Sequence, residues 1–104
     1  MSIDRELEQL KVWGEGEICQ YLAAKVRRTR LKTKESQKNF SERIGVPLRT
    51  YKRFESHGKG TLQTFVRALQ GIGRVRYLFM LFPQDTPKPK SPLAKILSQH
   101  PTDN

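Results

Sequence analysis

Two arginines four residues apart, Arg49 and Arg53, are the side chains best suited to chemistry in this 104-residue chain. A guanidinium presents a planar fork of N–H donors that fits phosphate oxygens or the O6 and N7 edge of guanine. On a helical wheel with Tyr51 at zero, Phe54 falls at about −60°, so the core direction lies between them. Arg49 and Arg53 then fall at about 160° and about −160°, with Lys52 at about 100° and Ser56 at about 140°, all on the outward side. That face holds no carboxylate. Two like charges at i, i+4 weaken a helix slightly, so stability alone does not account for them. A polyanion does.

Charge along the chain points to the same place. Residues 1–24 carry a net −3 and residues 77–104 a net +1, whereas residues 25–76 hold fifteen Lys and Arg against Glu35, Glu42 and Glu55, a net +12. A formal charge of +10 on so short a chain repels itself unless an anionic partner neutralises it, and nucleic acid is the first such partner. Lipid is excluded as a medium to span. The longest apolar run, Tyr77 to Phe82, stops at Pro83, where a membrane helix needs about 20 residues. The single cysteine, Cys19, and an N-terminus unlike a signal peptide lead us to expect a cytoplasmic, nucleoid-associated protein.

The elements that must position the arginines read as helical nearly throughout. Ile3, Leu7 and Leu10 mark a short amphipathic helix ending near Trp13 to Gly16. Ile18, Leu22 and Val26 mark a second, ending near Leu31. Ser36 is an N-cap for a third helix carrying Phe40 and Ile44, and Gly45 stops it. Pro47 suits the first turn of a fourth, which runs to His57. Thr61 caps a fifth, carrying Leu62, Phe65, Val66, Leu69 and Ile72, and Val75, Leu78, Phe79 and Phe82 make a last short helix. No strand-like alternation of useful length occurs. Because Tyr77 to Phe82 is apolar all round, it is expected either to be fully buried or in part to seal a subunit interface. The fold class is therefore all-α: an N-terminal helical extension over 1–16, a five-helix domain over 17–82, and a Pro-rich tail over 83–104 with a short helix over 91–97.

Two short helices joined through Gly45-Val46-Pro47 have the spacing of a helix-turn-helix. Gln37, Phe40, Ser41, Ile44, Gly45, Val46, Tyr51, Phe54 and Glu55 stand in a register that resembles the Xre-type, Cro-like repressor family. The stretch from Leu69 to Leu97 is similar to a HipB-like branch of it. Ser41, where the family favours Ala, Glu35, where it favours an aliphatic residue, and the large Tyr51 depart from the pattern. The resemblance implies that Leu48, Arg49, Lys52 and Arg53 read base edges. Leu48 meets a thymine methyl or sits at the core edge, and Lys52 reads a base or touches phosphate. Gln37 would contact phosphate and brace the recognition helix, with Lys38, Arg43, Lys59 and the backbone near Thr61 as further phosphate contacts. It also implies that Arg30 and Glu55 form an ion pair. The wheel agrees, since Glu55 falls at about +40°, near the core face, where a lone carboxylate is costly.

Catalysis finds little support. Cys19, His57 and His100 are too scattered to bind a metal, and no glycine-rich nucleotide fingerprint is present, so neither enzyme activity nor a cofactor is expected. The leading expectation is a sequence-specific regulator of bacterial or phage type, a repressor acting on double-stranded DNA as a homodimer on a palindrome. A second reading, from a different class, is an antitoxin that binds a toxin partner through 77–82 and the tail while regulating its own operon. A third is a non-specific architectural or RNA-binding protein.

Overall fold

The computed structural model describes residues 3–83. They form five α-helices, α1 (Ile3–Val12), α2 (Glu15–Lys32), α3 (Gln37–Ile44), α4 (Leu48–His57) and α5 (Leu62–Gly71), followed by a 3-10 helix (Val75–Leu81). No strand occurs among the described residues. The tail expected beyond Pro83, with its helix over 91–97, lies outside them.

Local chemistry fixes the helix ends. The Ser36 hydroxyl oxygen accepts from the Asn39 N–H at 3.0 Å, and that of Thr61 accepts from Thr64 N–H at 3.1 Å. Each satisfies a backbone donor that the helix itself cannot. Gly45 and Gly58 close α3 and α4 in the left-handed region, at φ 74° and 69°. Pro47 stands one position before α4, and its carbonyl accepts from Tyr51 N–H at 2.9 Å.

Ala23, Val26, Phe40, Val46, Tyr51, Phe54 and Ala68 make the core, with Ile44, Phe65 and Ile72 packed against it. Its aromatic spine runs Phe40–Tyr51–Phe54–Phe65, with successive ring centroids at 5.1, 5.9 and 6.2 Å. α4 sits at the centre, packed against α2, α3 and α5.

Three expectations from the sequence change. Leu62 is exposed, because side chains lean toward a helix's N-terminus and one in the first turn overhangs solvent. The α1 stripe is not buried either: Ile3 and Leu7 are exposed. The described contacts of α1 run instead to α2, where Tyr21 OH donates to Glu6, Lys25 Nζ lies 3.0 Å from Glu6, and Trp13 packs 5.7 Å from the Tyr21 ring. The last helix is 3-10 rather than α. Arg74 gives it no side-chain cap, and so short a connector gains little from α-helical bonding. It is not fully buried: none of its residues is buried, and Tyr77, Phe79, Met80, Leu81 and Phe82 are exposed.

Candidate nucleic-acid interface

α4 is anchored from beneath and bare above. Tyr51, Phe54 and Glu55 are buried, while Arg49, Thr50, Lys52, Arg53 and Ser56 are exposed, and Leu48 is half-buried at the first turn. Among the described residues, no carboxylate pairs with Arg49, Lys52 or Arg53. The face therefore keeps its full positive charge.

The anchor is a hydrogen-bonded network around the buried Glu55 carboxylate. Arg30 grips it with both edges of its fork: Nε donates to Oε2 and Nη2 to Oε1, each at 2.8 Å. Gln37 Nε2 donates to Oε1 at 2.8 Å, and the Tyr51 hydroxyl donates to Oε2. Arg27 Nε stands 3.9 Å away at the solvent edge. The remaining Arg30 nitrogen, Nη1, donates to the Glu35 carbonyl at 2.6 Å. One carboxylate thus ties α2, the start of α3 and α4 together. Burial pushes the Glu55 carboxyl up, but hydrogen bonds from Arg30, Tyr51 and Gln37 outweigh it and hold its pKa below the ordinary value. Burial, then the same carboxylate, pushes the Tyr51 phenol up.

The cations expected at phosphate have different surroundings. Lys38 lies 3.8 Å from Glu42 across an exposed i, i+4 pair, an attraction too weak to hold it. Arg43 is engaged: Nε and Nη2 donate to the two Glu35 oxygens at 2.9 and 2.8 Å, and Nη2 also donates to the Gly71 carbonyl at 3.1 Å. That bond to Glu35 raises the Arg43 pKa and, against a smaller effect of burial, lowers that of Glu35. The amide of Gln37 is engaged with Glu55 through one N–H, which links the start of α3 to α4. Lys59 and Thr61 follow α4 directly and share a shallow groove with Arg53, His57 and the first turns of α2.

The sequence reading overlooked Arg67. Its Nη1 donates to the carbonyls of Ile44 and Gly45, at 3.3 and 3.2 Å, and so closes the C-terminus of α3 at the joint with α4. Nothing local marks this, since the partners lie more than twenty residues apart. The Arg43 bond to the Gly71 carbonyl was missed for the same reason, whereas Glu35 stands only eight residues before Arg43, in the loop that precedes α3. Tyr51 with Glu55 was within reach, because i and i+4 share a helix face.

Among the described residues, no group of three or more His, Cys, Asp or Glu stands together, and no helix is long and apolar enough to cross a membrane. Comparison with protein-family models, curated proteins and solved structures finds no match.

Proposed function

We propose that the chain is a sequence-specific regulator of Xre, Cro-like type that binds double-stranded DNA through a helix-turn-helix formed by α3 and α4. It works as a repressor by occupying a palindromic operator as a homodimer. The reading is carried by one observation: a helix held rigidly by Tyr51, Phe54 and Glu55 turns an unneutralised Arg49, Lys52 and Arg53 to solvent.

The geometry suits a duplex. Four residues along a helix advance about 6 Å, close to two base steps of about 3.4 Å, so Arg49 and Arg53 can address separate base pairs from one groove. Lys52, Lys38 and Lys59 supply charge for flanking phosphates, and the N–H groups opening α5 after Thr61 add a favourable dipole. A fixed network under the helix matters here, because a bidentate bond to guanine tolerates little wobble.

Selection of bound sequences from a random duplex pool, repeated over a salt series, tests this. The expected product is an enriched site with two-fold symmetry. Arg49→Ala should cost about 1–3 kcal/mol of binding and relax preference at one base pair, while leaving thermal stability unchanged or slightly raised. Equal affinity for scrambled duplexes at moderate salt would instead favour a non-specific architectural or RNA-binding role.

A further inference from the structure

A second set of cations lies along the back of α2. At about 100° per residue, Lys25, Arg28 and Lys32 fall within about 60° of one another, on the side that also carries Tyr21. The buried Ala23, Val26 and Arg30 stand about 130–170° around the helix from that stripe, and Arg30 is the residue that grips Glu55 on α4. All three cations are exposed, and Arg74, also exposed, lines one groove with Lys25. Among the described residues no carboxylate pairs with Arg28, Lys32 or Arg74, whereas Lys25 Nζ lies 3.0 Å from Glu6. A single carboxylate does not offset that set. Lys32 suits the C-terminal end of its helix, but Lys25 and Arg28 stand inside it, where like charges three and four residues apart weaken a helix slightly.

We propose that this stripe is a second polyanion surface, which holds the sugar–phosphate backbone of a further DNA duplex on the side of α2 turned away from α4. The inference goes beyond the operator reading and does not rest on Arg49, Lys52 or Arg53. From Lys25 to Lys32 the helix advances about 10 Å, three base steps of about 3.4 Å, so the stripe can follow one strand. Its lysines are flexible point charges, which suit phosphate rather than a base edge. A single strand would need open rings on which its bases could stack, and the rings here are engaged. Tyr21 has the Trp13 ring 5.7 Å away and Lys25 Nζ over it at 5.2 Å, while the Arg74 and Arg76 guanidiniums lie over Tyr77 at 5.7 and 5.1 Å. With α4 on one duplex and this stripe on another, the protein joins two stretches of DNA.

Fluorescence anisotropy with a short duplex of arbitrary sequence tests this, on the full chain carrying Arg49→Ala, Lys52→Ala and Arg53→Ala together. That chain should still bind the duplex at low salt. Adding Arg28→Glu, at an exposed position and with far-UV circular dichroism showing the fold intact, should weaken binding by about tenfold or more and lower the salt slope by about one unit. Lys11→Glu makes the same change in charge roughly 140° around α1 from Glu6, the residue that meets α2. It should cost less than about twofold. A triple variant that no longer binds the duplex overturns the proposal, as does an Arg28→Glu effect no larger than that of Lys11→Glu. So does a single-stranded RNA, or a vesicle rich in phosphatidylserine, that the triple variant prefers to the duplex. A wild type that selects a DNA sequence while the triple variant binds nothing refutes the second surface alone. Residual binding through Arg28, beside a wild type without sequence preference, refutes only the operator reading.

Discussion

Glu55 concentrates more of the fold than any other side chain, because its carboxylate is buried and accepts bonds from Arg30 on α2, Gln37 at the start of α3 and Tyr51 on α4. Removing it strands the Arg30 guanidinium in the interior, so Glu55→Ala should destabilise by roughly 3 kcal/mol in urea unfolding. A loss of a few tenths would mean that water screens the pair. The same network sets an acid limit. Since the native pKa lies below the ordinary 4.5, the unfolded chain binds the proton first as pH falls. The stabilisation is complete above that value and disappears as pH drops through the lower native one. Thermal melts from pH 6 down to about pH 2 should show this loss, with Glu55→Gln starting less stable and giving a shallower slope. An identical slope in the variant would move the acid limit to Glu6 or Glu35, whose pKa values are also held low.

At the scale of elements, the orientation of α4 depends on the two joints that bound it. Both use glycine at positive φ, but they differ in what stands opposite. A Cβ on Gly45 would come within 2.7 Å of Arg67 Nη1, the tip of a side chain that can swing aside. On Gly58 it would come within 2.8 Å of the Cys19 and Gln20 backbone, inside α2. Gly45→Ala should therefore cost about 1–2 kcal/mol, the strain of the left-handed residue itself. Gly58→Ala should cost more, since a helix backbone has to shift, and chemical denaturation of the two variants gives the ranking. The reverse order would show that α2 yields more easily than the Arg67 clamp. Arg67 and Arg43 matter for the same geometry. One closes the end of α3, and the other ties the Glu35 loop to the last carbonyl of α5, so the joint before α4 is braced from both sides.

For the whole molecule, the relevant quantity is where the charge of +10 resides. Carboxylates pair with Lys25, Arg30 and Arg43 within the fold, whereas among the described residues none pairs with Arg49, Lys52 or Arg53 of α4. Under the operator reading, binding weakens steeply with salt as counterions are released. Lys59→Ala should then weaken every duplex alike and lower the salt slope by about one unit, whereas Arg49→Ala changes which sequence is preferred. Filter binding or fluorescence anisotropy at several salt concentrations separates the two. If Lys59→Ala left the slope untouched, the groove it shares with Arg53 would not follow the backbone.

Helix positions, caps and the inward face of α4 could all be read from the amino-acid order, because they depend on neighbours within a few residues: Ser36 and Thr61 before their helices, Gly45 and Gly58 after theirs, Tyr51 and Phe54 one turn apart. Glu55 belongs to this class in part, since its place on the wheel already demanded a partner. Which distant atoms meet could not be read that way. The grip of Arg67 on Ile44 and Gly45, the reach of Arg43 to the Gly71 carbonyl and the small buried side chains Ala23, Thr64 and Ala68 arise only when separate helices close on each other. The exposed ridge at the 3-10 helix is of the same kind. Its composition promises burial, but α2 and α5 leave it a groove to stand beside instead of a core to enter, and only packing in three dimensions decides between those outcomes.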